Sequence, residues 1–359
     1  MEYLYNTPTS IYYSPPVFDL LDLPNSNMIE VKSHTNYAAI LKEVIVTGNS
    51  NLIHLKNQKA LYDIKQYDNN NKFKYSDEAI EFYEKNHCLV KIKNSNISFE
   101  SAIFLGGNYT WNYYHFVYEV LAKFERINAM KLDINIPFII DKVIFEIPQF
   151  KELLNLLNAN RREVILIEKG KRYFVQQLYY FSCPNFIPPN FNNEKDMKAE
   201  DVLFDLSSLN YLRKTLLPYA TKKDFPNRIF ISRSKSANKK RTFNEAEIFD
   251  ILKSYNFKIV YPENFSFTDQ IALFNHADLI VGATGAAFTN LLFCKNSCKV
   301  IIFAKNKLPF SGFSTIAKYL NINLIYFTDE ISNIDEMKSI HDPSIINATK
   351  FKLFLSDWI

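Results

Sequence analysis

His115 and Glu119 stand four residues apart in the run Trp111-Asn-Tyr-Tyr-His115-Phe-Val-Tyr-Glu119. On a helix that spacing stacks the imidazole and the carboxylate on one face. A carboxylate that holds one ring nitrogen raises the basicity of the other, which can then take a proton from a hydroxyl. The pattern fits equally a partly buried histidine satisfied by a surface glutamate, and the residues alone leave both open. Asn112 and Trp111, just ahead of the pair, are candidate substrate-binding residues.

A second set lies in the C-terminal half. Gly282-Ala-Thr-Gly285 follows an apolar run and precedes a helical pattern, the place where open α/β sheets bind ligands. Glycine there lets a ligand approach the backbone, and the next helix offers free N–H donors to a phosphate. The sequence is neither G-x-G-x-x-G nor a P-loop, so a plain strand-to-helix turn is the alternative. Arg233, Lys235, Lys239, Lys240 and Arg241 form a dense run of cations after another apolar run, and such a run suits a diphosphate. The three lysines read as a solvated face; Arg233, next to the strand end, is a ligand candidate, and Arg241 a substrate contact. Glu263, after Pro262, either accepts hydrogen bonds from a ribose or base or is a turn carboxylate.

These residues need elements to hold them. Phe116, Val120, Leu121 and Phe124 recur at helical spacing and predict an amphipathic helix over 111–127. Apolar 137–141, helical 150–157 and apolar 163–168 then alternate as a βαβ unit. A Pro- and Asn-rich stretch at 183–193 precedes a predicted helix over 201–217, and 218–227 reads as a linker. Beyond it come strands at 228–232, 257–261, 278–281 and 299–303. Between them lie a helix capped by Asn244 and one opened by a Ser266/Asp269 capping box. The first hundred residues read as short strands and loops.

The formal charge is +4, from 42 Lys and Arg against 38 Asp and Glu in 359 residues. That is too weak to argue for nucleic acid as a partner. Cys88, Cys183, Cys294 and Cys298 form no C-x-x-C pair, which argues against a disulfide framework or structural zinc. With neither a signal-peptide pattern nor a long apolar run, the expectation is a soluble protein of the reducing cytoplasm, with peripheral membrane attachment open. There is no Asp-x-Asp, no H-E-x-x-H and no G-x-S-x-G, so metal-assisted and serine-hydrolase chemistry both lose weight.

The order of the pieces resembles glycosyltransferase family 61. The matching stretches are Asn112-Tyr-Tyr-His-Phe-Val-Tyr-Glu119-Val-Leu121, Arg228-Ile-Phe-Ile-Ser-Arg233, Asn244-Glu245, Tyr261-Pro-Glu263, Phe265 to Phe274, Ala277 to Gly282 and Gly285 to Asn290. The resemblance implies an α/β, GT-B type fold: two Rossmann-like domains facing a central cleft. Residues 1–217 would bind the acceptor and 218–340 the nucleotide sugar, with 341–359 packing back on the N-terminal domain. It further implies an inverting transfer without an obligatory metal or other cofactor, moving a hexose or pentose from a nucleotide sugar, UDP-linked first, to a glycan or lipid-linked glycan hydroxyl. Arg233, Glu263, Gly285, Ala286, Ala287, Thr289 and Asn290 would then line the donor site, and His115 and Glu119 would carry catalysis. Where the family often has His before the glycine, this chain has Thr284, whose hydroxyl can bond a phosphate but carries no charge. Bacteria-like members point to capsule or lipopolysaccharide assembly at the cytoplasmic side of the inner membrane. The competing readings are a non-catalytic nucleotide- or glycan-binding module, and a GT-B transferase with a CMP- or CDP-linked donor.

Overall fold

A computed structural model of the chain describes residues 1–68, 71–91, 97–233, 242–305, 308–329 and 343–359. The described residues fall into two compact units. The first is Met1–Tyr12, Glu30–Asp196 and Asp201–Leu216; the second is Tyr13–Ile29, Met197–Glu200 and Leu217–Ile359.

In the first unit an eight-stranded mixed sheet runs in the order Val164–Ile167, Phe138–Asp141, Ser98–Phe104, Arg172–Phe181, Ile29–Thr47, Ile53–His54, Ala60–Leu61, with Glu2–Tyr13 also paired to Ile29–Thr47. The first four strands in that order are mutually parallel, and Arg172–Phe181 is antiparallel to Ile29–Thr47. Tyr173, Val175, Leu178 and Tyr180 of this central strand are buried, and they share a core with Leu41, Val44, Ala102, Phe104 and Ile139.

Within the first hundred residues the expected short strands are found between Ile53 and Val90, but two strands depart from that expectation, Glu2–Tyr13 with 12 residues and Ile29–Thr47 with 19. The longer strand is hard to read because its alternation slips by one. Ala39 and Leu41 are buried, then Val44 and Val46, with Glu43 between them in the left-handed region at φ 54°. A one-residue slip in a period of two turns an alternating strand into an unreadable one.

The second unit holds a five-stranded, all-parallel sheet in the order Lys258–Val260, Arg228–Ile231, Leu279–Ala283, Lys299–Lys305, Asn323–Asp329. Counted along the chain this is 2-1-3-4-5, a doubly wound order whose switch point lies between Arg228–Ile231 and Leu279–Ala283. Helices Glu245–Lys253, Phe267–His276 and Gly312–Tyr319 connect its strands, as does a 3₁₀ helix over Ala286–Phe293. Ser266 caps the second of these by accepting the Asp269 N–H at 3.1 Å. Asn244 occupies the cap position of the first, but its side chain accepts the Ile346 N–H at 2.8 Å instead and so ties down the chain end.

The expectation that 341–359 packs back on the N-terminal domain is corrected for its described part. Helix Ala348–Trp358 buries Phe351, Leu355 and Trp358 in the core of the second unit. Phe351 lies 5.0 Å from the Phe303 ring and 5.3 Å from the Phe327 ring. The reason is a matched pair of surfaces: an apolar stripe spaced by four and three residues meets the apolar face of two adjacent strands. Tyr13–Ile29, expected within 1–217, also clusters with the second unit, and the Val17 carbonyl accepts the Tyr326 N–H of its edge strand at 2.8 Å.

Candidate active site

The chain enters the 111–129 helical stretch through Asn112, whose side-chain oxygen accepts the Tyr114 N–H at 3.0 Å. The expected substrate residue Asn112 therefore serves as the cap. One α-turn, Tyr113–His115, opens at once into a π-turn, Phe116–Val120, and closes through a 3₁₀ turn, Leu121–Lys123. Phe116, Val117, Tyr118 and Val120 are all buried, so core packing on several sides holds the wide turn open, and such turns cluster at functional sites. Glu119 and Val120 are the residues of the π-turn that line the pocket, and Glu119 is the charged one.

Glu119 Oε2 lies 2.9 Å from His115 Nδ1, and both side chains retain some solvent access. With the Nδ1 proton donated to the carboxylate, Nε2 holds the free lone pair, the arrangement a hydroxyl base needs. The Tyr109 ring packs at 4.9 Å from the imidazole. Glu119 lines a pocket together with Gly106, Gly107, Tyr109, Thr110, Lys123 and Cys183. Lys123 is buried there, its ammonium about equally far from two rings, 6.0 Å from Phe104 and 5.9 Å from Tyr180. Burial, then the Glu119 charge, push the Cys183 thiol well above its ordinary value, which keeps it protonated and unreactive.

A buried carboxylate sets the loop ahead of this pair. Asp141, at the carboxyl end of strand Phe138–Asp141, accepts the Asn49 N–H at 2.6 Å, the Gly107 N–H at 2.9 Å and the Thr110 hydroxyl at 2.9 Å. Burial pushes its carboxyl up to about 6, against the pull of those three donors. Asn51 Oδ1 accepts the Asn108 N–H at 3.2 Å. A Cβ on Gly107 would come within 2.7 Å of that same oxygen, so a larger residue would push the Asn51 side chain off the loop. Gly106-Gly107, Asp141, Asn49, Asn51 and Lys123 were not singled out from the sequence. One signal was available: two adjacent glycines in a chain with only seven, directly after a strand.

In the second unit the switch point carries Arg233 and the Gly285 turn together. Arg233 follows strand Arg228–Ile231, and its N–H donates to Glu245 Oε1 at 2.8 Å. Its Nη1 donates to the Thr284 carbonyl at 3.3 Å. The guanidinium lies so close over Gly285 that a Cβ there would sit 2.3 Å from Nη1. Burial pulls the Arg233 pKa down, and the charges of Glu245 and Glu263 oppose that pull. Glu263 is exposed in the 3₁₀ turn Pro262–Asn264. Ala286 and Ala287 form the first turn of Ala286–Phe293, where helical N–H groups have no intrahelical acceptor.

Thr289 and Asn290 do not join them. Both are fully buried, and the Asn290 amide donates to Gln270 Oε1 at 2.9 Å, which ties the 3₁₀ helix to helix Phe267–His276. Trp111 is exposed on the first unit. Arg241, with Lys235, Lys239 and Lys240, lies outside the described residues.

A search of curated proteins finds no match. The family model described as Glycosyltransferase 61 matches residues 113–301, a span that opens two residues before His115 and continues past the Gly285 turn. With more than half of its 359 residues inside that match, the chain belongs to glycosyltransferase family 61 and is a glycosyltransferase.

Proposed function

We propose that the protein is an inverting, metal-independent transferase that moves a sugar from a nucleotide sugar, UDP-linked in the first instance, to a hydroxyl of a glycan or lipid-linked glycan. The observation that carries this reading is the 2.9 Å contact between His115 and Glu119, whose side chains both keep some solvent access, with Glu119 on the wall of a pocket. His115 Nε2 removes the acceptor hydroxyl proton, while Glu119 fixes the ring and balances the imidazolium. The acceptor oxygen forms its bond to the anomeric carbon from the face opposite the nucleotide. As the bond from that carbon to the phosphate oxygen breaks, its electron pair leaves on the diphosphate. Arg233 and the N–H groups at Gly285 to Ala287 stabilise that growing charge. This division of labour requires both units to address one substrate pair, which is the GT-B arrangement of two Rossmann-like domains across a cleft. A lipid-linked acceptor would bring the protein to the cytoplasmic face of the inner membrane, with capsule or lipopolysaccharide assembly as its setting.

The test is thermal unfolding of the purified chain with UDP, CMP, CDP, GDP or ADP, in EDTA. A nucleotide at about a hundred times its Kd adds about 2.7 kcal/mol to the native state. We expect one nucleotide to raise the Tm in EDTA and Arg233→Ala to abolish the rise. A cooperative transition that no nucleotide moves overturns the donor site, and a rise seen only with added divalent metal overturns metal independence.

A further inference from the structure

Trp111 is 54% exposed, unusual for a side chain of that size, whereas the chain's other tryptophan, Trp358, is 7% exposed. It stands at the wall of an open pocket of the first unit, beside Asn108, Lys142, Glu146, Glu168 and the ion pair Lys169–Glu78 at 2.9 Å. The pocket's three carboxylates outnumber its two lysines, so it holds no surplus positive charge for an anion. A flat ring with a negative face attracts the polarised C–H groups on one side of a pyranose, and carboxylates and an amide around it bond hydroxyls.

One loop serves this pocket and the catalytic one. Gly107, Tyr109 and Thr110 line the Glu119 side, while Asn108 and Trp111 line the open pocket. Asp141 fixes the loop through Gly107 and Thr110, so the two sites are held in a set relation. We infer that the Trp111 pocket is an acceptor subsite that stacks a neutral pyranose of an oligosaccharide, next to the sugar whose hydroxyl reaches His115. The inference rests on the acceptor-side reading of His115 and Glu119, and it adds the substrate class: a neutral chain of at least two sugars.

Tryptophan emission tests it directly, because Trp111 is the exposed indole and Trp358 the buried one. Maltotriose, cellotriose and triacetylchitotriose are titrated against the full chain, with sialyllactose as the anionic comparison. At least one neutral trisaccharide should shift the emission to the blue and saturate; sialyllactose should not. Trp111→Phe should lose the optical response yet keep calorimetric binding, since a phenyl ring still stacks. Trp111→Ala should weaken calorimetric binding about tenfold or more. An emission that no neutral trisaccharide moves, an equal response to sialyllactose, or unchanged binding in Trp111→Ala each overturns the subsite. The nucleotide-induced Tm rise separates the two claims: present without a saccharide response, only the subsite fails; absent with a saccharide response, the donor reading fails and a glycan-binding site remains.

Discussion

At the level of single residues, the proposed mechanism gives His115 and Arg233 separable jobs. Removing a positioned base costs roughly 10²–10⁴-fold in rate, so His115→Ala should lower kcat by that order while the nucleotide still raises the Tm. Arg233→Ala should instead lose the nucleotide response. If both variants lose turnover and nucleotide binding alike, the division is wrong. Gly285→Ala is the sharper probe of the donor turn. Its φ of 169° is extended backbone that alanine adopts, so the new methyl acts only by displacing the Arg233 guanidinium. Nucleotide affinity should fall with little change in the ligand-free Tm, and a Tm loss as large as the affinity loss would point to a folding defect. The His115–Glu119 pair was legible because four-residue spacing survives even through a π-turn. Asp141 was not, since a strand-end aspartate shows its three donors only once Asn49, Gly107 and Thr110 have been brought to it.

At the level of elements, the Asp141 network is what gives the 106–110 loop one shape. An amide in place of the carboxylate must turn its NH₂ toward a donor, so Asp141→Asn leaves buried groups opposed and should cost about 1–3 kcal/mol in denaturant unfolding at pH 4. The pH dependence has a definite sign. The folded carboxyl sits at about 6 against an ordinary 3.8, so the native state holds this proton more tightly than the unfolded chain. The stability Asp141 confers is complete below pH 4 and declines as pH rises through 6, by about 3 kcal/mol. Wild type should therefore lose stability relative to Asp141→Asn between pH 4 and 7, and a flat difference would refute the buried carboxyl's role. Helix Ala348–Trp358 is the other element whose placement matters. Phe351→Ala should cost about 3–5 kcal/mol, read by chemical denaturation, because the ring fills the space between Phe303 and Phe327. The strands of the second unit were readable from continuous apolar runs such as 279–283. Helix Ala348–Trp358 was expected only through the resemblance, and its apolar stripe does not by itself name its partner surface.

At the level of the whole chain, the units are not two consecutive pieces. Ser14 accepts the Ser314 hydroxyl on its carbonyl at 2.6 Å and donates its N–H to Thr315 Oγ1 at 2.9 Å, while Leu20 and Leu23 pack on the second core. A fragment of residues 217–359 lacks these partners, so it should unfold at lower denaturant than the same fragment joined to 13–29. Equal midpoints would show the segment to be dispensable. No local pattern could have given this assignment: Val17, Phe18, Leu20 and Leu23 make Tyr13–Ile29 apolar, but its partner strand lies some three hundred positions downstream.

That long-range tie governs how the protein is made. Tyr13–Ile29 leaves the ribosome some three hundred residues before the strand Asn323–Asp329 that receives it. At about 5–20 residues per second, Leu20 and Leu23 wait roughly 15–60 s without their native cover. Over that interval the nascent chain shows an apolar segment to its surroundings, a natural point for chaperone engagement, and its residence there should lengthen when translation between Ile29 and Asn323 is slowed.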